Sequence, residues 1–373
     1  MTFCVRSIHF PFFFRVLASF LWLFLAVGCS GESEDSGFAG LAESQQAGTD
    51  VPFLQPGPGD RLKFPEDFGP HPQHRIEWWY LTANLENQAG EPLGLQWTQF
   101  RQALTPRSAN ATPPAPAQWP LQAAWMAHGA LSWRGQHHFA ERLARADVGH
   151  AGATAQPFEV WLDDWRLTST GESGRWRLQV SADNWSYDLF LRLNGPPVAH
   201  GDRGFSAKSA SGEGSMYFSL VDIAIAGKVT IDGETQKVRG KGWFDREWSS
   251  QLLKTGQQGW DWFALHLDSG DKLMAFRLRE DGGAFVSGTW ITKEREAVAL
   301  SSDDLTLTPE AETEATPTHW RLQVPRYGVD LEIAAPPGEY RNEGQYPYWE
   351  SPVSVSGSHS GEGYMELTGY EAE

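Results

Sequence analysis

The stretch Ile76-Glu77-Trp78-Trp79-Tyr80-Leu81-Thr82 reads IEWWYLT, three large aromatic side chains in a row behind a carboxylate. A strand buried on one side alternates apolar and polar residues. This one does not, so both of its faces need cover. A related run, GWDWFAL, stands at 259–265. The chain has 373 residues, including 18 Trp, 38 Gly and 23 Pro. Such usage fits short strands punctuated by turns rather than long amphipathic helices. The best helix candidate lies around 142–146, and none longer than ten residues is expected. The length allows two domains, each able to enclose a core.

The recurrence is part of a larger repeat. RWRLQV at 175–180 returns as HWRLQV at 319–324. Each is followed by a tyrosine, Tyr187 or Tyr327, and then by a proline pair, Pro196-Pro197 or Pro336-Pro337. GKGWFD at 240–245 matches GEGYME at 361–366 in residue class at five of six positions. EWWYLTANLENQAGEPLGL at 77–95 matches GWDWFALHLDSGDKLMA at 259–275, both running aromatic strand, Leu, Gly turn, acid, Leu. The three matches keep their order, which implies two copies of one module, 60–248 and 249–373. The Pro/Ala-rich insertion at 105–120 reads as a loop. Each copy reads as short antiparallel strands, and a module of about 125 residues built so suits a small barrel or sandwich. In a barrel, one strand face looks inward and the other can pack on a neighbour, here the sister module.

Residues 1–28 read as a signal peptide. Arg6 and Arg15 precede the apolar run 16–28, which is short for a transmembrane helix. The run ends in Ala26-Val27-Gly28-Cys29-Ser30, which resembles the bacterial lipoprotein processing box, with Ala26 in place of the usual Leu. Cys29 is then the lipidation site and the membrane anchor. An uncleaved signal anchor is the alternative. Residues 29–59 are small, acidic and Pro/Gly-rich, a flexible tether. Ser30 in place of Asp, by resemblance to sorted lipoproteins, implies a periplasmic protein held at the outer membrane. A net charge of −17 argues against nucleic-acid partners.

Several longer motifs carry a family resemblance: EWWYLT, Ala127-His128 before GALSW, GHAGA at 149–153, WFDREWSSQ at 243–251, GWDWFALHL at 259–267, YWESPVSVSG at 348–357 and GYMELTGY at 363–370. Together they resemble the AttH family, which includes proteins called predicted secreted hydrolases and is similar to the carotenoid 1,2-hydratases. The resemblance implies an all-β fold of two tandem lipocalin-like (calycin-type) antiparallel β-barrel domains. It implies no settled activity.

Strand alternation puts Trp243, Asp245 and Glu247 on one face and Phe244, Arg246 and Trp248 on the other. A carboxyl beside Trp in an apolar cavity has its pKa raised by desolvation. It could protonate an isolated C=C bond, indole faces could steady the cation, and water would then add. Asp245 resembles the aspartate of the hydratases. The His and Trp that the hydratases place one strand upstream fall by spacing in 214–218, GSMYF, which has neither. The competing reading joins Asp245, Arg246 and Glu247 in a structural ion-pair network. Glu77 faces a cavity or accepts hydrogen bonds at the barrel rim, and Asp261 holds a nearby place in the second copy. His128 is a weak proton-donor candidate or a hydrogen-bonded core histidine. His137 and His138 read as a solvated turn. His71 and His74 lie in a Pro-interrupted loop, and no metal site or cofactor is expected. There is no Gly-x-Ser-x-Gly elbow and no phosphate-binding Gly loop.

Three functions follow. The first is a lipid-anchored module that binds a hydrophobic molecule, a lipid or isoprenoid, with Glu77, Trp78, Trp79, Tyr80, Trp243, Trp260 and Trp262 as lining candidates. The second is a hydratase-like enzyme with Asp245 as acid, helped by Glu247 and His128. The third is a scaffold that contacts an envelope transporter.

Overall fold

A computed structural model describes residues 52–106, 122–251, 253–254, 256–311 and 316–370. The signal peptide, Cys29, most of the tether and nearly all of the 105–120 insertion lie outside the described residues. The rest forms two antiparallel sheets. The first runs, neighbour by neighbour, through Gln136–Arg145, Ala123–Trp133, Pro92–Ala103, Ile76–Asn87, Glu234–Ser249, Gly214–Ile231, Trp185–Leu193, Arg175–Ser181, Trp165–Ser169, Phe158–Leu162 and Ala151–Ala155. The second runs through Ala297–Leu300, Gly283–Ile291, Lys272–Glu280, Gln257–Leu267, Gly361–Thr368, Tyr348–Gly357, Val329–Ala334, His319–Val324 and Thr306–Pro309. The order is the same strand for strand, and in each sheet the first long strand closes onto the last. Along these paths the final two strands of the first sheet lack counterparts; beside the paths, Val198–Ala199 and Phe205–Ala207 pair with Gly214–Ile231, and Arg341–Asn342 pairs with Tyr348–Gly357. The first sheet curls into a near-closed barrel and the second into a half-barrel, a two-domain lipocalin-like fold.

IEWWYLT opens the strand Ile76–Asn87, and GWDWFAL lies in Gln257–Leu267. Trp79 and Leu81 point into the first core with Trp97, Trp165 and Phe244. Phe263 and Leu265 point into the second core with Trp320 and Trp349. Tyr80 from one strand, Trp262 and Ala264 from the other, and Trp243, Tyr217 and Tyr364 make a third cluster where the sheets meet. This accounts for strands apolar on both faces. The sheets approach closely enough that a Cβ on Gly94 would lie 2.7 Å from the Pro352 ring.

WFDREWSS divides as strand alternation requires. Asp245 faces the junction, while Arg246 turns inward beneath Trp79, 3.8 Å from the ring centroid. Glu77 accepts from Arg101 Nε and Arg246 Nη2, and from the His71 backbone N–H at 2.9 Å. Burial works against the Glu77 anion, but Arg101 and Arg246 outweigh it and hold the carboxyl well below its usual range. The arginines also bind loop carbonyls, Gly69 at 2.6 Å and His71 at 2.7 Å. His71 stacks on Trp248, ring centroids 3.7 Å apart. His74 is buried, and desolvation lowers its pKa to about 4. The ion-pair network expected around Asp245 therefore centres on Glu77. Asp261 repeats the device, paired with Arg277 and Arg279.

Three local expectations change. Residues 142–146 form no helix: Gln136–Arg145 is an edge strand whose Ala140 and Ala144 pack on the first core while Leu143 faces outward. Pairing with Ala123–Trp133 overrides local helix propensity there. The turn before this strand is Arg134-Gly135, both with positive φ (52° and 75°), and not His137-His138. His137 bonds Ser132 Oγ at 2.8 Å and Asn342 Oδ1 of the second sheet at 2.8 Å. Tyr187 and Tyr327 are not equivalent. Tyr187 lies in a core strand, and Tyr327 ends a short 3-10 turn and stacks on Trp290.

Removing one arginine leaves the Glu77 charge buried and half-paired. Arg246→Met is expected to lower the urea unfolding free energy by about 3–5 kcal/mol. A loss below about 1 kcal/mol would show that the network adds little.

Candidate functional site

Between the sheets lies a cavity of about 280 Å³. Both sheets give it aromatic and apolar lining, Trp78, Phe100 and Met126 from the first and Trp260, Trp262 and Phe276 from the second. Asp245, Glu247 and Glu366 border it as well. Leu143, 56% exposed, also borders it and gives the opening an apolar edge.

Asp245 is 2% exposed. Its Oδ1 accepts from the Trp243 indole at 2.7 Å and from Ser219 Oγ, and its Oδ2 accepts from Tyr217 OH at 2.8 Å. Burial raises its pKa to about 7 although these three donors oppose the shift, and the nearby Glu247 charge adds to the rise. Near neutral pH a large share of Asp245 is thus the free acid. Oδ1 already takes two donors, so the acid proton belongs on Oδ2. Trp262 Nε1 donates to Tyr217 OH at 3.1 Å, which keeps the phenol's own proton aimed at Asp245.

Behind Asp245 stands a histidine. His200 Nε2 is 2.6 Å from Ser219 Oγ, and its Nδ1 is 2.8 Å from Thr289 Oγ1 of the second sheet. Ser219 gives its proton to Asp245, so His200 donates from Nε2 and accepts at Nδ1. Burial, with the charge of Lys208, lowers its pKa to about 3, so the ring stays neutral.

The second sheet supplies a matching acid. Glu366 accepts from the Trp260 indole at 2.7 Å. Directly across the strand pair is Glu350, 0% exposed, which accepts from Tyr80 OH at 3.0 Å. Burial raises Glu366 to about 7. Burial and the charge of Glu366 raise Glu350 well above its usual range. The bracing is reciprocal. Tyr80, strand neighbour of Asp245, bonds the second sheet's acid pair. Trp262, strand neighbour of Glu366, bonds Tyr217 on Asp245.

Of the residues singled out in the sequence, Glu77, Trp78, Tyr80, Asp245, Glu247, Trp260 and Trp262 border the cavity. Glu77 does so with both oxygens engaged by the arginines and the 71 loop. Glu247 accepts from Ser215 and pairs with Lys208 at 3.0 Å. Trp243 stands behind Asp245. Trp79 lies in the first core. His128 is apart from the cavity, between Glu141 and Tyr348 OH at 2.9 Å each, and burial lowers its pKa. Its place is that of a hydrogen-bonded core histidine. Among the described residues no cluster of His, Cys, Asp and Glu suits a metal ion.

The model of the AttH-like family matches residues 55–370. The chain belongs to the AttH-like family. A solved AttH protein of Nitrosomonas europaea is 31% identical, with a TM-score of 0.75; the match covers 86% of this chain and 100% of that one. Kievitone hydratase of Nectria haematococca is 16% identical over 85% of this chain and 98% of its own, TM-score 0.61. CghA is 13% identical over 86% and 97%, TM-score 0.54. These two likenesses are of fold. No curated protein matches the chain.

Glu366, Glu350, Tyr217, Ser219 and His200 were not singled out in the sequence. The repeat carries a signal for Glu366, since it sets GEGYME against GKGWFD and so Glu366 against Asp245. Ser219 and Tyr217 face Asp245 because Gly214–Ile231 pairs in register up to a shift between Leu220 and Ile223. His200 comes from a separate short segment, and no local pattern marks it.

A raised carboxyl pKa makes the fold more stable when that group is protonated. For Asp245 this contribution is complete below its unfolded value of 3.8 and is lost as pH rises through about 7. Asp245→Asn stays neutral throughout. Its unfolding free energy relative to wild type should therefore rise by about 1–4 kcal/mol between about pH 5 and 8 in urea titrations. A pH-independent difference would contradict a neutral Asp245.

Proposed function

We propose that the junction cavity takes up a small apolar, unsaturated molecule of isoprenoid type and that Asp245 protonates an isolated C=C bond in it, so that water adds. The observation that carries this reading is a buried carboxylic acid, pKa about 7, at the wall of an aromatic cavity. The acid's proton bonds to one alkene carbon through the π pair and leaves a cation on the other. Trp78, Trp260 and Trp262 border that space, and an indole face attracts positive charge. Water's oxygen then supplies the pair for the new C–O bond, and its surplus proton passes to a carboxylate. At about 280 Å³ the cavity is near the lower end of small-molecule pockets, about 300–1,000 Å³. It suits a short isoprenoid or one end of a long one.

The stretch 214–218, where the resemblance called for a His and a Trp, gives Asp245 the Tyr217 hydroxyl instead, and His200 reaches the same acid through Ser219. That chain holds the acid in place without giving it a charge. A second reading is binding without chemistry, favoured by the full set of donors already on Asp245. Under either reading the protein is carried on a lipid at Cys29 and works on the periplasmic side, at the outer membrane.

Farnesol and geraniol serve as probes, binding being followed by Trp fluorescence and products by mass spectrometry. Wild type is expected to bind and hydrate, while Asp245→Asn binds comparably and loses about 10²–10⁴-fold in turnover. Binding with no product from wild type would leave only the binding reading. No quenching by either probe removes both. Cys29→Ser should move the protein from the membrane to the soluble fraction, and unchanged fractionation would contradict the anchor.

A further inference from the structure

The internal repeat makes Asp245 and Glu366 counterparts, yet their surroundings differ in one respect. Each sits on the strand that closes its sheet, each accepts an indole N–H at 2.7 Å, and each borders the same cavity. Across the strand pair, however, Asp245 meets a serine hydroxyl, Ser219, whereas Glu366 meets a second carboxyl, Glu350. Glu350 is wholly buried. One of its oxygens takes the Tyr80 hydroxyl at 3.0 Å, Oε2 receives no other donor, and the carboxyl is hydrogen-bonded with Glu366. Two carboxyls side by side in apolar surroundings do not both ionise, because the second charge would be set against the first without solvent to screen it. They share one proton. Glu350, without contact with the cavity, is the better holder of that proton. Glu366, which keeps its indole donor and part of its surface open to the cavity, is the one that ionises.

We propose that Glu366 is the base of this cavity, taking the proton released when water bonds to the cation formed by Asp245, and that Glu350 acts behind it as a positioning residue. This rests on the reading of Asp245 as the acid. The steps balance. Asp245 loses its proton to carbon, and water forms the C–O bond. Its O–H pair stays on oxygen as the proton moves to the Glu366 carboxylate, and exchange with solvent returns Asp245 to the acid and Glu366 to the base. Net, one water is added across one double bond. The same pH suits both roles, since each of the two titrates at about 7 while Glu350 is held well above its usual range. The other ionisable groups nearby are Tyr80 on Ile76–Asn87, Tyr348 and Tyr364 on the two strands of the acid pair, both with pKa raised by burial, Glu247 beside Asp245, and Lys208, which pairs with Glu247 at 3.0 Å. Tyr80 stays protonated, its pKa raised by burial. Lys208 faces the Phe276 ring at 4.3 Å, on the Asp245 side of the cavity.

The test uses the full chain with farnesol and geraniol in ¹⁸O-labelled water, comparing wild type, Asp245→Asn, Glu366→Gln, Glu366→Asp and Glu350→Gln. Affinity is read by Trp fluorescence and folding by near-ultraviolet circular dichroism. Glu366→Gln is expected to lower kcat about 10²–10⁴-fold with affinity changed less than about threefold. It should also remove the acid limb of the kcat–pH profile. Glu366→Asp should recover part of the loss, and Glu350→Gln, which replaces the acid O–H offered to Glu366 by a weaker amide donor, should move that limb to higher pH. Glu366→Gln within about threefold of wild type, with Asp245→Asn inactive, overturns the base and leaves the acid standing. Wild type that yields no ¹⁸O-labelled alcohol from either probe overturns both.

Discussion

Tyr80 and Trp262 meet edge to face across the junction of the two sheets, ring centroids 5.3 Å apart. Everything distinctive about the molecule follows from the need to cover the outward faces of the two strands that carry them. Each strand is already committed inward, Trp79 and Leu81 in the core of the barrel, Phe263 and Leu265 in that of the half-barrel. Neither half can therefore leave its outer face in water without exposing a contiguous aromatic patch. Packing the halves together removes that patch. Because Tyr and Trp carry a polar atom, it also brings hydroxyl and indole donors into an apolar space. Those donors must end on acceptors, and the acceptors here are Asp245, Glu350 and Glu366. The acids and the aromatics at the junction are one arrangement.

The contrast between Glu77 and Asp245 shows how the same strand pair produces two kinds of carboxyl. Both are buried. Glu77, on the inner face, has two guanidinium groups and remains an anion. Asp245, on the outer face, has only neutral donors and is pushed up to about 7. One locks a loop onto the end of a barrel. The other is left able to exchange a proton. Arg246 lies next to Asp245 in the chain yet serves Glu77, because strand alternation sends adjacent side chains to opposite faces.

Much of this could be read in the sequence because duplication leaves a pattern that does not depend on tertiary detail. The matches at 77–95 with 259–275 and at 240–245 with 361–366 sufficed for two like halves, and the alternation in WFDREWSS sufficed to separate Asp245 from Arg246. What could not be read depends on contacts distant in the chain. His200 reaches Asp245 only through Ser219 and touches Thr289, 89 positions away. His128 looked like a possible donor, but its neighbours Glu141 and Tyr348 come from another strand and from the other sheet. Residues 142–146 carry helical propensity that a paired edge strand cancels. Glu350 and Glu366 become a pair only when two strands align, which spacing alone does not reveal.

The central claim is that the junction holds a carboxylic acid, neutral near pH 7, facing an apolar cavity. Carboxyl-carbon NMR of protein labelled with ¹³C at aspartate, with Asp245→Asn identifying the resonance, measures that state directly. The account predicts a resonance that titrates near pH 7 and moves when farnesol is added. A resonance that titrates in the ordinary aspartate range, below about pH 4.5, or that ignores the ligand would contradict it.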